Sequence, residues 1–192
     1  MADFLVTERL ALRPFTSADV DALVELDGDP EVTRFINGGL PTSRQAVLAE
    51  RLPKLTRPFP CLGGGVGSWA ARERDTGRFV GWFGLRPLDD HSPAVAELGY
   101  RLRRDAWGAG YATEGSRALI DKGFTELGVE RITANTMTVN ARSRAVLEKA
   151  GLSFLRTYFA DWPEVIEGSE SGDVEYELTR KQWEARGARP AS

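Results

Sequence analysis

The sequence predicts an α/β chain of the α+β kind, with one mixed, mostly antiparallel sheet flanked by helices. Three observations carry that reading. Residues 68 to 103 alternate apolar and polar side chains through three consecutive strands, an antiparallel meander. Residues 97 to 114 run from the last of these strands through a glycine turn into a long helix. A further strand and helix at 131 to 152 precede two closing strands, at 153 to 160 and 174 to 180.

The elements are justified in order. Glu8 to Arg13 alternates, with Leu10 and Leu12 on one face, and reads as the first strand. Ser17 is placed to cap a helix carrying Val20, Leu23, Val24 and Leu26, and Asp29-Pro30-Glu31-Val32 starts a second. Residues 42 to 57 read as a helix capped by Thr42 or Ser43, which Pro53 should kink or end. The glycines between Leu62 and Gly67 read as a loop. Ser68 to Arg74 and Arg78 to Leu85 form a hairpin about Asp75-Thr76-Gly77, with Gly81 and Gly84 marking a bulge or close packing. In the later helix Asn140 is a strong N-cap, and Gly151 suits the left-handed position after its end, with Leu152 folding back on Leu147. One domain over residues 1 to 183 and a frayed polar tail over 184 to 192 follow from this pattern.

Composition narrows the function. A net charge of −3 argues against a nucleic-acid surface. Cys61 and His91 are the sole residues of their types, so a His-based triad, a disulfide and a zinc site are all disfavoured. Cys61 reads as a small buried apolar residue and His91 as part of a turn. No apolar run approaches the length of a membrane span, and no signal pattern opens the chain, so a cytoplasmic protein without membrane partner is expected.

The chemistry concentrates in Glu97-Leu98-Gly99-Tyr100-Arg101-Leu102-Arg103-Arg104-Asp105-Ala106-Trp107-Gly108-Ala109-Gly110-Tyr111-Ala112-Thr113-Glu114. Gly108 and Gly110 let a ligand approach the backbone, and the first N–H groups of the following helix point out of its positive end. That arrangement binds phosphate without charged side chains. It does not meet the dinucleotide fingerprint: Thr113 stands where the third glycine belongs, and the next strand ends on neutral residues, Asn135 and Thr136.

Trp107-Gly108-Ala109-Gly110-Tyr111-Ala112-Thr113-Glu114 resembles the acyl-CoA pyrophosphate motif of the GNAT N-acetyltransferase superfamily, in its RimJ/RimL-like branch. Gly110 and Ala112 match the motif, while Trp107 stands where the family has Arg or Gln. Asn140-Ala141-Arg142-Ser143 and the ending Glu148-Lys149-Ala150-Gly151 resemble the second signature, and Thr7 to Phe15 resembles the opening of the branch. The resemblance spans roughly Phe4 to Trp183. It implies a sheet whose two central strands splay apart, the pantetheine arm of an acyl-CoA lying in the gap beside Tyr100 and Leu102. It also implies pyrophosphate on the amides of Gly108, Ala109, Gly110, Tyr111, Ala112 and Thr113, with Asn140 contacting the pantetheine.

The expected reaction is transfer of an acetyl group from acetyl-CoA to a primary amine, on a protein N-terminus or a small molecule, by direct attack in a ternary complex and without metal. Glu97 is the candidate proton acceptor and Ser143 the candidate hydrogen-bond donor to the leaving thiolate. The alternatives are another donor such as succinyl-CoA, or an acyl-CoA-binding regulatory domain without turnover. A homodimer is compatible with the family. The stretch from Asp161 to Asp173 carries Asp161, Glu164, Glu167, Glu170 and Asp173 with Trp162 and no cation, which predicts a cationic acceptor.

Overall fold

The computed structural model describes residues 2 to 160 and 166 to 187. Strands β1 (Leu5–Val6) and β2 (Leu10–Arg13) open the chain, followed by α1 (Val20–Gly28) and α2 (Pro30–Asn37). A helical stretch comes next: α3 (Arg44–Ala46), a π-type turn (Val47–Arg51) and α4 (Leu52–Thr56). Then come β3 (Pro58–Phe59), β4 (Gly65–Val66), β5 (Ser68–Glu73), β6 (Phe79–Asp89) and β7 (Ser92–Leu102). The rest is α5 (Tyr111–Glu126), β8 (Arg131–Met137), α6 (Ala141–Ala150), β9 (Ser153–Tyr158), β10 (Asp173–Thr179) and α7 (Arg180–Gly187).

Eight strands form one sheet in the order β1-β2-β5-β6-β7-β8-β10-β9. Every pairing is antiparallel except β7 with β8. Alternation along the strands sends neighbouring side chains into two cores. Trp69, Ala71, Phe83, Leu98 and Ile132 pack with Leu119 and Phe124 of α5 and Leu147 of α6. Ala70, Phe79 and Trp82 face the other way and pack with Val20, Leu23 and Leu26 of α1 and with Val47 and Leu55. Helix α5 lies close on β6: a Cβ at Gly115 would run into the buried Phe83 ring. The mixed α/β sheet flanked by helices is therefore the fold the sequence predicts.

Several local expectations change. A 3-10 turn, Ser17–Asp19, leads into α1 and is capped by Thr16 rather than Ser17, because Asp19 reaches back to the Thr16 N–H in a capping box and also takes Arg13. Pro53 does not end its helix, which runs on to Thr56; it follows directly on the π-type segment Val47–Arg51. The glycine loop at 62 to 67 contains a short ladder, Gly65–Val66 against Pro58–Phe59. Residues 180 to 187 are helical rather than frayed from 184, anchored by the Trp183 indole on Asp121 at 2.7 Å and by Arg186 on the Gly151 carbonyl.

The caps at Asp29, Ser43 and Asn140, the Gly81 bulge and the Gly151 ending stand as expected. Asp29 caps α2 on the Glu31 N–H, and Ser43 is the cap of the two candidates before α3. Gly81 takes φ +140°, and a side chain there would meet the Arg101 carbonyl, so this is close packing at a bulge. Asn140 accepts from the Ser143 N–H, and the Leu152 N–H folds back to the Leu147 carbonyl at 3.0 Å around Gly151. His91 sits in the tight β6–β7 turn, its N–H on Asp89. Cys61 is half-buried rather than buried. Among the described residues no helix is long and apolar enough to cross a membrane.

Candidate active site

The glycine turn forms as its sequence dictates. Gly108 and Gly110 adopt φ +75° and +85°, a region other residues enter at a penalty. The turn puts the start of α5 at the end of β7. Among the described residues no acceptor meets the N–H groups of residues 108 to 113; the first bonded amide is that of Glu114, on the Gly110 carbonyl at 3.0 Å. Six consecutive unbonded donors at the positive end of a 16-residue helix suit a polyanion.

Side chains hold this turn from behind. Glu114 accepts from the Thr7 hydroxyl at 2.6 Å, the Arg9 N–H at 2.9 Å and Arg9 Nε at 2.7 Å. Burial works against that charge, yet these partners outweigh it and hold the Glu114 carboxyl below its ordinary value. Arg9 also donates to the Ala109 carbonyl at 2.8 Å and lies over the Tyr111 ring. The Tyr111 hydroxyl donates to Glu73 at 3.0 Å. Trp107, at the family's Arg/Gln position, turns inward: its indole N–H donates to the Leu102 carbonyl at 2.9 Å, and Arg142 of α6 lies over its ring. The sequence does not reveal this bracing, because it joins residues up to 107 positions apart.

Beside the turn the sheet opens. Strands β7 and β8 pair only at Val95↔Arg131, Ala96↔Ile132 and Glu97↔Thr133. Both continue, to Leu102 and Met137, without pairing each other further. On its other side β7 stays paired to β6 through Leu102. The Arg103 N–H bonds the Val80 carbonyl of β6, so alternation turns the backbone of Leu102 and Tyr100 toward the gap.

Tyr100 spans from β7 to the start of α6. Its hydroxyl lies 3.1 Å from Ser143 Oγ and donates to the Ser143 carbonyl at 3.2 Å. Burial pushes the Tyr100 phenol up to about 12, so it stays protonated at any working pH. Tyr100, Ser143 and Asn140 thus stand together along one wall of the gap, with residues 108 to 113 at the mouth.

Glu97 lies on the opposite face, at the last paired position before the strands part. It accepts from its cross-strand neighbour Arg86 at 2.8 Å. On the same face the Tyr158 hydroxyl donates to Asn135 at 3.2 Å. Burial first, then the charges of Asp173, Glu175 and Glu97, push the Tyr158 phenol up. Carboxylates thus gather beside the apex of the gap, Glu97 paired with Arg86 and Glu175 with Arg156 at 2.6 Å. In the acidic loop Glu167 and Glu170 are exposed and Glu167 meets Arg34 at 3.3 Å, while Asp161, Trp162 and Glu164 lie outside the described residues. Among the described residues no cluster of His, Cys, Asp and Glu is arranged to hold a metal.

Comparison with known proteins agrees with this geometry. Residues 9–153 match the acetyltransferase (GNAT) domain model. The FsC-acetyl coenzyme A-N(2)-transacetylase of Aspergillus fumigatus is 34% identical over 187 residues, covering 93% of this chain and 77% of that protein. The uncharacterized N-acetyltransferase p20 of Bacillus licheniformis is 33% identical over 159 residues, covering 80% of this chain and 86% of that protein. The spermidine N-acetyltransferase of Vibrio cholerae, solved with CoA and spermine, superposes with a TM-score of 0.72 at 14% identity, over 91% of this chain and 97% of that one. This chain belongs to the GNAT acetyltransferase family and is an acyl-CoA-dependent acetyltransferase.

Proposed function

We propose that the protein moves an acetyl group from acetyl-CoA to a primary amine by direct attack within a ternary complex. The observation that carries this is the gap between β7 and β8, which opens beyond Glu97↔Thr133 and leads to six unbonded amides at residues 108 to 113. An acyl-CoA fits that shape: pyrophosphate on the amides, pantetheine along the Tyr100 and Leu102 backbone, and thioester near the apex. Asn140 borders the pantetheine from α6. The two signature stretches and the Thr7 to Phe15 opening support a place in the RimJ/RimL-like branch.

The roles follow from position. Glu97, directly or through a water, takes the proton of the ammonium, leaving a neutral amine to attack the thioester carbon from its face. The carbon–nitrogen bond forms, the carbon–sulfur bond breaks, and the nitrogen's second proton passes to water as the amide forms. The Ser143 hydroxyl, backed by the Tyr100 phenol 3.1 Å away, donates to the departing thiolate. Glu97 and Glu175 beside Tyr158 favour an acceptor whose amine arrives as a cation.

Incubating the protein with acetyl-CoA or succinyl-CoA and a panel of amines, with thiol release and product mass as readouts, tests this. Amine-dependent thiol release with acetylated product supports it. Faster release with succinyl-CoA reassigns the donor, and tight CoA binding without release from any amine makes the protein a binding domain.

A further inference from the structure

The acceptor face carries more positive charge than its structure uses. Trp82 and Arg86 of β6 share that face with Glu97, Gly99 and Arg101 of β7, in the register Trp82↔Arg101, Gly84↔Gly99 and Arg86↔Glu97. The Gly84–Gly99 pair leaves the sheet bare, and the Trp82 ring lies over it, with Arg86 Nη2 reaching Gly99 from the other side. From above, the π-type turn Val47–Arg51 delivers Arg51 onto the same indole, its guanidinium carbon 4.9 Å from the ring centroid. Arg101 stands 5.8 Å from that centroid. A π-type turn inside a helix often marks a functional position.

Two carboxylates answer these three guanidiniums. Asp27 accepts from Arg101 and lies 3.2 Å from Arg51 Nε, and Glu97 takes Arg86. One charge is left over where it is poorly solvated: burial first, then repulsion from Arg101, brings Arg51 down to about 10, and Arg86 adds to the repulsion. Buried donors are left over too. Arg51 Nη2, Arg101 Nε and the Trp82 indole N–H find no acceptor among the described residues. A clamp holding α1 to the sheet needs Asp27 and one arginine. Paired like-charged forks with spare N–H groups suit a planar anion, which guanidinium binds in bidentate fashion.

We propose that Arg51, Arg86 and Arg101 around Trp82 receive a carboxylate carried by the acceptor itself, so that the preferred acceptor is an amine bearing an acid group. This rests on the proposed acetyl transfer, because Glu97 receives the amine on the same face. The CoA phosphates do not compete for the site, since α5 starts from the other face of the sheet.

Matched acceptors test it: lysine against cadaverine, and β-alanine against β-alanine amide, each as kcat/KM with acetyl-CoA. The acid should be preferred in each pair. Arg51→Gln should shrink that preference roughly 10- to 100-fold, the weight of a charge-assisted hydrogen bond, and Arg51→Lys should restore part of it. A ratio near one in the wild type, or a variant that slows both members equally, overturns the site and leaves acetyl transfer standing. Calorimetry with N-acetyl-β-alanine and its amide needs no turnover. Selective binding of the acid, lost in Arg51→Gln, supports the site even if no amine is acetylated; equal binding of both overturns it.

Discussion

The Trp107 indole N–H donates to the Leu102 carbonyl at 2.9 Å, folding the glycine turn back on the end of the strand it leaves. That bond fixes where the six free amides point relative to the gap. Trp107→Phe keeps the ring under Arg142 and removes the donor. A hydrogen bond of this kind contributes about 1 kcal/mol net, so CoA affinity should fall by several-fold, to tenfold at most. Calorimetry reads it directly, and an unchanged affinity means the turn is set by the glycines alone.

Gly110→Glu should abolish CoA binding. The new side chain meets a φ of +85° that disfavours it by roughly 1–2 kcal/mol and sets a carboxylate at the amides meant for phosphate. Circular dichroism should show the fold retained. Wild-type affinity in the variant would remove residues 108 to 113 from the donor site.

Ser143→Ala should lower kcat with little change in the dissociation constant of acetyl-CoA, because its bond matters as the thiolate leaves. Glu97→Gln should lower kcat and move the pH–rate profile, within the range of about 10²–10⁴-fold for a general base. The Tyr100 phenol, at about 12, does not contribute a limb to that profile. Wild-type kcat in both variants on the true acceptor would assign the chemistry to backbone groups.

Asp19 gives the fold an acid-sensitive anchor. Burial raises its carboxyl, but Arg13, the Thr16 N–H and Arg72 together hold it below the ordinary value. A depressed native pKa means stability that is complete above the unfolded value, about 3.9, and is lost as pH falls through the native one. Asp19→Asn should therefore lower the melting temperature at pH 7 and flatten its decline on the acid side. Thermal melts from pH 7 to pH 3 measure both.

Sequence periodicity made the sheet and its main helices legible, because alternation and helical spacing are local. The glycine turn at 108 and 110 and the left-handed Gly151 were legible for the same reason: both are local signals of residue type. What escaped was carried by contacts across the chain. The π-type turn at Val47–Arg51 has no local signature, and only the fold brings its Arg51 over Trp82. The Thr16–Asp19 capping box is itself local and was open to reading; only the pairing of Asp19 with Arg13 and Arg72 lies across the chain. The ion pair of Glu97 with Arg86 needed the register of β6 on β7, which the bulge at Pro87/Asp89 shifts beyond simple counting.

Three residue pairs join five strands on one side of the sheet to three on the other. Such a wedge is a pair of strand edges hidden inside a domain, and unguarded edges are where foreign β-strands pair and aggregation begins. The shape is its own defence. A guest strand needs about 4.8 Å on each side along its whole length, which strands diverging from Glu97 and Thr133 do not supply. A slim diamide arm faces no such demand, so a divergence suited to the proposed donor's arm turns polypeptide away.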